Sequence, residues 1–132
     1  MLSDEKIILS KMRMEKAEEC LADAALLSER GSFKSLVNRS YYAVFHAMRA
    51  VLALDGIDSK KHSGVIAEFQ RLYVKNGVFD KEMSVTVRRL FLARNNSDYD
   101  DFFIISKEDA VRQFEDAKLF VVNVRKYLES VY

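Results

Sequence analysis

The short polar stretch 94–99, with the sequence RNNSDY, carries the side chains best suited to chemistry. Read backwards at helical spacing, Arg94 continues an apolar stripe of three residues, Met83, Val87 and Leu90. An unpaired buried cation is costly, so Arg94 must be paired inside the protein, reach the surface at the helix end, or face a cleft that holds an anion. Asp98 and Tyr99, about one turn further on, are its predicted partners.

A second polar stripe recurs at spacings of 4, 3, 4 and 3, and its members are Ser35, Arg39, Tyr42, His46 and Arg49. This spacing predicts two arginines, a tyrosine and a histidine along one side of a helix. His46 is either a hydrogen-bonded interior histidine or a cleft histidine that binds a ligand or transfers a proton. His62, next to Lys60 and Lys61, is expected near a helix N-terminus, where backbone N–H groups can hold an anion; the alternative is a solvated loop with a capping role.

Length and composition predict one domain that spans residues 1–132 and forms its own core, with 49% hydrophobic and 31% charged residues. The 21 basic and 20 acidic residues give a net charge of +1, so any contact with phosphates must come from a local cluster rather than from bulk charge. One cysteine, Cys20, and two histidines predict neither an internal disulfide nor a zinc site, and no metal or cofactor is expected. There is no recognisable secretory signal or membrane span, so we expect a cytoplasmic protein.

The absence of proline and the presence of only four glycines predict an all-α fold. Five helices are expected, at about 3 or 4–29, 32 or 33–54, 62 to a stop at 75–77, 80–94, and from 106 onward. A loop is expected from Asp98 to Ile105. Gly31, Gly56 and Gly77 are expected to close helices. Short connections and near-heptad seams favour a mostly antiparallel bundle, with the second helix either central or at a subunit interface.

Three segments resemble motifs of the small prokaryotic HEPN-domain proteins: 38–47 (NRSYYAVFHA), 61–66 (KHSGVI) and 94–99 (RNNSDY). The likeness covers roughly residues 8 to 130 and is greatest to a stand-alone group that is often encoded beside a minimal nucleotidyltransferase. It implies a four-to-five-helix bundle that forms a homodimer, with a cleft near the two copies of the motif in helix four. Many HEPN proteins are metal-independent ribonucleases that act as toxins in toxin-antitoxin or defence systems, and others are inactive binding modules.

The family signature is an arginine, usually followed by a polar residue, with a histidine four to six residues further on. Arg94 and Asn95 match its first half, but Tyr99 stands five residues beyond Arg94, and no histidine follows His62. Metal-free RNA cleavage needs a base, an acid and a cation that stabilises the phosphorane charge. Tyrosine, with a reference pKa of about 10, donates a proton but is a poor base at neutral pH, which leaves His46 as the predicted base.

Three hypotheses follow from the sequence. The first is a nucleotide- or RNA-binding module without strong nuclease activity, which pairs with a nucleotidyltransferase antitoxin. Its cleft is lined by Arg39, Tyr42, His46, Arg94, Asn95, Asp98 and Tyr99, and His62 is a further candidate for nucleotide or RNA binding. In this module Arg39 and Arg94 bind phosphate, and Tyr42 or Tyr99 stacks on a base. The second is an active toxin ribonuclease that uses Arg94 with Tyr99 and His46. The third is a structural network of Arg94, Asp98 and Tyr99 that fixes a dimer.

Overall fold

The computed structural model describes residues 3–132, and these form five α-helices and no strand. The helices are α1 (Asp4–Arg30), α2 (Phe33–Ala53), α3 (His62–Phe69), α4 (Lys81–Tyr99) and α5 (Lys107–Val131). A π-helical segment, Gln70–Val74, continues α3 directly. The predicted all-α, five-helix fold is therefore confirmed.

Local sequence signals explain where the helices begin. The side chains of Ser3, Asp80 and Ser106 each accept a hydrogen bond from a backbone N–H in the first turn of α1, α4 and α5. Each cap satisfies one of the four N–H groups that a helix start leaves without a partner. Gly31, with φ of 76°, closes α1 in the left-handed conformation that glycine adopts without strain. The two-residue connection 31–32 then returns the chain, so α1 and α2 pack against each other as an antiparallel pair.

The end of α4 differs from the prediction. The helix does not give way to a loop at Asp98 but continues through Tyr99, and the irregular segment is limited to residues 100–106. Asp98 is therefore still helical and lies one turn after Arg94, where the two side chains form an i,i+4 ion pair. The polar composition of 94–99 indicated a helix end too early, because this pair stabilises the final turn.

Helix α2 lies at the centre of the bundle, which was one of the two positions predicted for it. It packs against α1, α3, α4 and α5, and 13 of its 21 residues are buried. Between Ser40 and Ala53, only Tyr42, His46 and Arg49 are not buried. The predicted polar stripe is therefore the one strip of this part of α2 that the other helices leave partly open.

The apolar seams of α4 and α5 fix the position of Arg94. Met83, Val87 and Leu90 of α4 are buried. So are the residues of α5 that recur at spacings of 4 and 3, namely Ala110, Phe114, Ala117, Val121, Val124 and Leu128. Each large, fully buried apolar side chain contributes on the order of 1.5–3 kcal/mol. Arg94 follows Leu90 on the same face, which places its guanidinium at the edge of the core beside α2. Among residues 3–132, none of the helices combines the length and the apolar character that a bilayer span requires. Dimerisation stays a prediction.

Candidate functional site

The guanidinium of Arg94 is held by side chains from two helices. Its side chain is 16% exposed. Nη2 donates a hydrogen bond to the hydroxyl of Tyr42 at 2.8 Å, and Nη1 donates to Oδ1 of Asn95 at 3.0 Å. Nε lies 3.0 Å from Oδ2 of Asp98, but its N–H does not point at that oxygen, so this contact is an ion pair rather than a hydrogen bond. Arg94 is therefore paired and oriented, and it is not an uncompensated buried charge.

Two tyrosine rings of α2 flank the same guanidinium. Its central carbon lies 5.5 Å from the ring centroid of Tyr41 and 5.4 Å from that of Tyr42, within the range of cation–π attraction. The Tyr41 ring is fully buried and the Tyr42 ring is partly exposed. The cation is thus supported from the core side, while the Tyr42 side faces the open strip of α2.

His62, the first residue of α3, joins this aromatic group. Its Nδ1 lies 2.6 Å from the hydroxyl of Tyr41, and its ring stacks on Phe45 with centroids 4.2 Å apart. It also meets the Tyr42 ring edge-on, at 5.8 Å. The ring of His46 also lies beside Tyr42, with centroids 6.1 Å apart. Tyr42 is therefore the residue that connects Arg94 to both histidines.

Burial and nearby cations keep both imidazoles neutral at pH 7. The pKa of His46 falls to about 4, first because the ring is partly buried and then because Lys16, Arg49 and Arg39 repel a proton. The pKa of His62 is also lowered, first by burial and then by Arg94 and Arg49. A neutral imidazole can accept a proton, and the surrounding cations favour an anionic ligand.

Arg39 extends the site along α2 in the other direction. Its guanidinium lies 5.1 Å from the centroid of Tyr42, on the ring that Arg94 also approaches. Nε and Nη2 both donate to Oδ1 of Asn38, at 3.0 and 2.7 Å, and Nη1 lies 4.0 Å from the sulfur of Cys20. No carboxylate within residues 3–132 forms an ion pair with it, so its charge is available to a ligand.

The structure brings together seven of the eight predicted site residues: Arg39, Tyr42, His46, His62, Arg94, Asn95 and Asp98. Tyr99 is the exception, since its side chain is 80% exposed and no hydrogen bond or aromatic contact joins it to Arg94 in the part of the chain that the structure describes. Five residues advance a helix by about 140° beyond a full turn, so Tyr99 projects away from the face of Arg94. Its predicted catalytic role stays a prediction.

Sequence reasoning missed several contributors to this region. Tyr41 and Phe45 were not named as candidates from the sequence, yet they position His62 by a hydrogen bond and by stacking. The phenol gave a usable signal, because a buried tyrosine hydroxyl needs a partner. Arg13 of α1 was also missed, although it lies on the buried face of its helix, as Arg94 does on α4.

Comparisons with known proteins identify the family. The HEPN domain model matches residues 10–127. A UPF0332 protein of Thermotoga maritima is 37% identical over 116 residues, which make up 88% of each chain. A protein of Methanocaldococcus jannaschii named "Putative toxin MJ0142" is 32% identical over 117 residues, which cover 89% of this chain and 80% of that one. The resemblance carried by the three sequence motifs is therefore confirmed, and the chain belongs to the HEPN domain family.

Proposed function

We propose that this HEPN protein binds single-stranded RNA through a group of side chains that we name the α2 cluster, consisting of Arg39, Tyr42, His46, His62 and Arg94. The observation that carries the proposal is the arrangement around Tyr42, whose ring centroid lies 5.1 and 5.4 Å from the guanidinium carbons of Arg39 and Arg94 and beside two neutral imidazoles. RNA is the ligand that such a surface suits, because guanidinium groups bind phosphates and aromatic rings stack on unpaired bases.

Charge around the α2 cluster supports a polyanionic ligand. The net charge of the whole chain is only +1, but Lys16, Arg39 and Arg49 all lie close enough to lower the pKa of His46. Asp98 balances the charge of Arg94 only in part, since its side chain is 32% exposed and solvent screens the pair, while Asn95 is a neutral hydrogen-bond acceptor. A local concentration of cations can therefore attract phosphates without bulk charge.

The names of the relatives favour a place in a toxin-antitoxin system. The Methanocaldococcus jannaschii relative described above has the word toxin in its name, and so does a second protein of that organism, "Putative toxin MJ0605", at 30% identity over 118 residues. We infer that the present protein is the toxin component in the cytoplasm, that it acts as a homodimer, and that a minimal nucleotidyltransferase is its antitoxin partner.

The neutral state of the histidines favours a second candidate function, metal-independent RNA cleavage. His46, with a pKa of about 4, is already the free base at pH 7 and can take the proton of a 2′-hydroxyl as that oxygen attacks phosphorus. Arg94 would stabilise the charge of the phosphorane. The leaving 5′-oxygen would take its proton from Tyr99, because a neutral His62 is a poor acid; Tyr99 lies outside the α2 cluster, with its side chain 80% exposed.

The proposal is tested by titrating a labelled single-stranded RNA octamer with the wild type, Arg94→Ala and Arg89→Ala, and following fluorescence anisotropy. Arg89 is the matched control, because it lies on the same helix and pairs with Asp116 at 3.1 Å, away from the α2 cluster. We expect Arg94→Ala to weaken binding by about tenfold or more, the loss of a charge-assisted contact, and Arg89→Ala to change it by less than about twofold.

Two further readouts separate the alternatives. Cleavage of the octamer in the presence of a chelator, and its loss in Arg94→Ala, would favour the ribonuclease over the binding module. If the wild type binds no RNA while Arg94→Ala unfolds or changes its oligomeric state, the structural network of the third hypothesis is correct and the proposed function is wrong. Sedimentation velocity and circular dichroism measure these two properties.

A further inference from the structure

A second pair of arginines lies near the C-terminal end of the open strip of α2. Arg13 of α1 is only 6% exposed, and its Nη1 donates to the backbone carbonyl of Arg49 at 3.1 Å. Nη2 of Arg13 and Nη2 of Arg49 both donate to the same oxygen, Oδ1 of Asp58, at 2.9 and 2.8 Å. Asp58 belongs to the irregular segment between α2 and α3, and its side chain is 59% exposed.

The Asp58 carboxylate does not balance this pair. One negative charge faces two guanidinium groups, and the repulsion from Arg49, after burial, lowers the pKa of Arg13. The Nε of Arg49 is buried and has no hydrogen-bond partner among residues 3–132. The two guanidinium groups therefore retain unused N–H groups and an excess positive charge, which a second anionic oxygen would satisfy.

We propose that Arg13 and Arg49 form a second phosphate subsite, which Asp58 fills in the free protein and from which a phosphate of the bound RNA displaces it. The inference rests on the proposed RNA-binding function. Two guanidinium groups that converge on one carboxylate oxygen can bind the non-bridging oxygens of a phosphodiester in the same way. Asp58 is displaceable because its side chain is 59% exposed and belongs to an irregular segment, so it can move into solvent while a phosphate takes over the compensation of the buried Arg13.

The position of the pair makes it an extension of the α2 cluster. Arg49 is seven residues after Tyr42, which is two helical turns or about 10 Å along the axis, and His46 lies between them. Arg49 also lowers the pKa of both His46 and His62, so the pair and the cluster share one electrostatic surface. A strand of several nucleotides is needed to contact both ends, while a mononucleotide contacts one.

The test is Asp58→Asn, with binding measured for the labelled RNA octamer and for 5′-AMP. Removal of the internal competitor should strengthen octamer binding by about threefold or more and leave 5′-AMP binding unchanged. Glu18→Gln is the matched control, because it also removes one negative charge from a partly exposed ion pair. The partner of Glu18 is Arg125, whose Nε donates a hydrogen bond to it at 2.7 Å. Glu18→Gln should leave octamer binding unchanged.

A double-mutant cycle keeps the test decisive even if Asp58→Asn loosens its segment. In an Arg49→Gln background the gain from Asp58→Asn should disappear, because the subsite is already lost. An equal gain in Glu18→Gln, a gain that persists in Arg49→Gln, or no gain at all would overturn the subsite. If Arg94→Ala still weakens octamer binding in that case, the proposed function stands alone; if the wild type binds no octamer, both fail.

Discussion

Arg94 and Arg13 are two cations on the buried faces of their helices, and the protein holds them in different ways. Arg94 is fixed by neighbours on its own helix, Asn95 and Asp98, and by the phenol of Tyr42. Arg13 is fixed by distant groups, the carbonyl of Arg49 and the exposed carboxylate of Asp58. Arg94 thus belongs to a preorganised site, whereas Arg13 also connects α1 to α2 and to the segment before α3.

This difference teaches that burial of a cation alone does not identify its role. A guanidinium held by aromatic rings and helix-local groups keeps its geometry when a ligand arrives, which favours binding. A guanidinium whose main acid lies on an irregular segment can exchange that acid for a ligand. The two ends of the open strip are therefore expected to respond differently to substitution.

The largest expected effect on stability is at Arg13. Arg13→Ala removes a buried, well-packed side chain together with its hydrogen bond to the carbonyl of Arg49 and leaves Asp58 with one guanidinium partner fewer, so we expect the free energy of unfolding to fall by about 2–4 kcal/mol. Arg94→Ala should cost less, about 1–2 kcal/mol, because the Tyr42 hydroxyl and Asp98 can reach water. Urea unfolding measures both, and Arg13→Met, which keeps the apolar stem, separates charge from packing. Equal losses in the free energy of unfolding at the two positions would mean that the two arginines do not differ in how the protein holds them.

The next effect is the pH dependence that His46 confers. Its pKa is about 4 in the folded protein and about 6.5 in the unfolded chain, so between these values the unfolded chain binds more protons. Stability is therefore complete above pH 6.5 and falls as the pH drops from 6.5 towards 4. Because the ring is only partly buried and solvent screens it, we expect a loss of about 1 kcal/mol.

Chemical denaturation at pH 7, 5.5 and 4.5 measures this loss, and the matched variant is His46→Gln. That variant should show a shallower decline than the wild type over the same interval. An identical pH profile in the two proteins would mean that His46 is not the group that titrates, and the cationic surroundings proposed for the α2 cluster would lose their main support.

Sequence patterns predicted the fold well because they report local physics. Glycine closures and apolar seams each depend on residues within one or two turns. Gly31, Gly56 and Gly77, which were expected to close helices, have positive φ of 76°, 72° and 78°, and Gly31 directly closes α1. The stripe Met83, Val87 and Leu90 correctly placed Arg94 at the edge of the core. The resemblance to HEPN proteins was confirmed as well.

Contacts between distant segments were beyond such patterns. The hydrogen bond between Tyr41 and His62 joins residues 21 apart, and the pair of Arg13 with Asp58 joins residues 45 apart. Neither spacing repeats at a helical period, so only the packing of α1 and α3 against α2 brings these groups together. Tyr99 illustrates the converse, since its proximity in sequence suggested a contact with Arg94 that the helix geometry prevents.

Substitution of Tyr42 is expected to weaken octamer binding less than Arg94→Ala does. Tyr42→Phe keeps the ring that both Arg39 and Arg94 approach but removes the oxygen that accepts from Nη2 of Arg94. We expect octamer binding to weaken by about three- to tenfold, the value of one charge-assisted hydrogen bond that orients the cation. Tyr42→Ala, which also removes the stacking surface, should weaken it further. If the two variants bind equally, the ring contributes nothing and the base-stacking role is wrong.

The smallest effect on octamer affinity should be at Tyr99, and the cleavage activity of the same variant separates the binding module from the ribonuclease. The phenol is exposed and directed away from Arg94, so Tyr99→Phe should change octamer affinity by less than about twofold if one chain forms the whole site. Under the ribonuclease hypothesis that gives Tyr99 the role of acid, the same variant would lose cleavage while keeping affinity. Binding and cleavage measured on one preparation therefore distinguish the two hypotheses. The control is Tyr132→Phe, which removes the hydroxyl of a tyrosine that is distant in sequence and hydrogen-bonded to Ser10. Lost affinity in Tyr99→Phe would contradict a site formed by one chain, because it would require the phenol to contact the bound RNA.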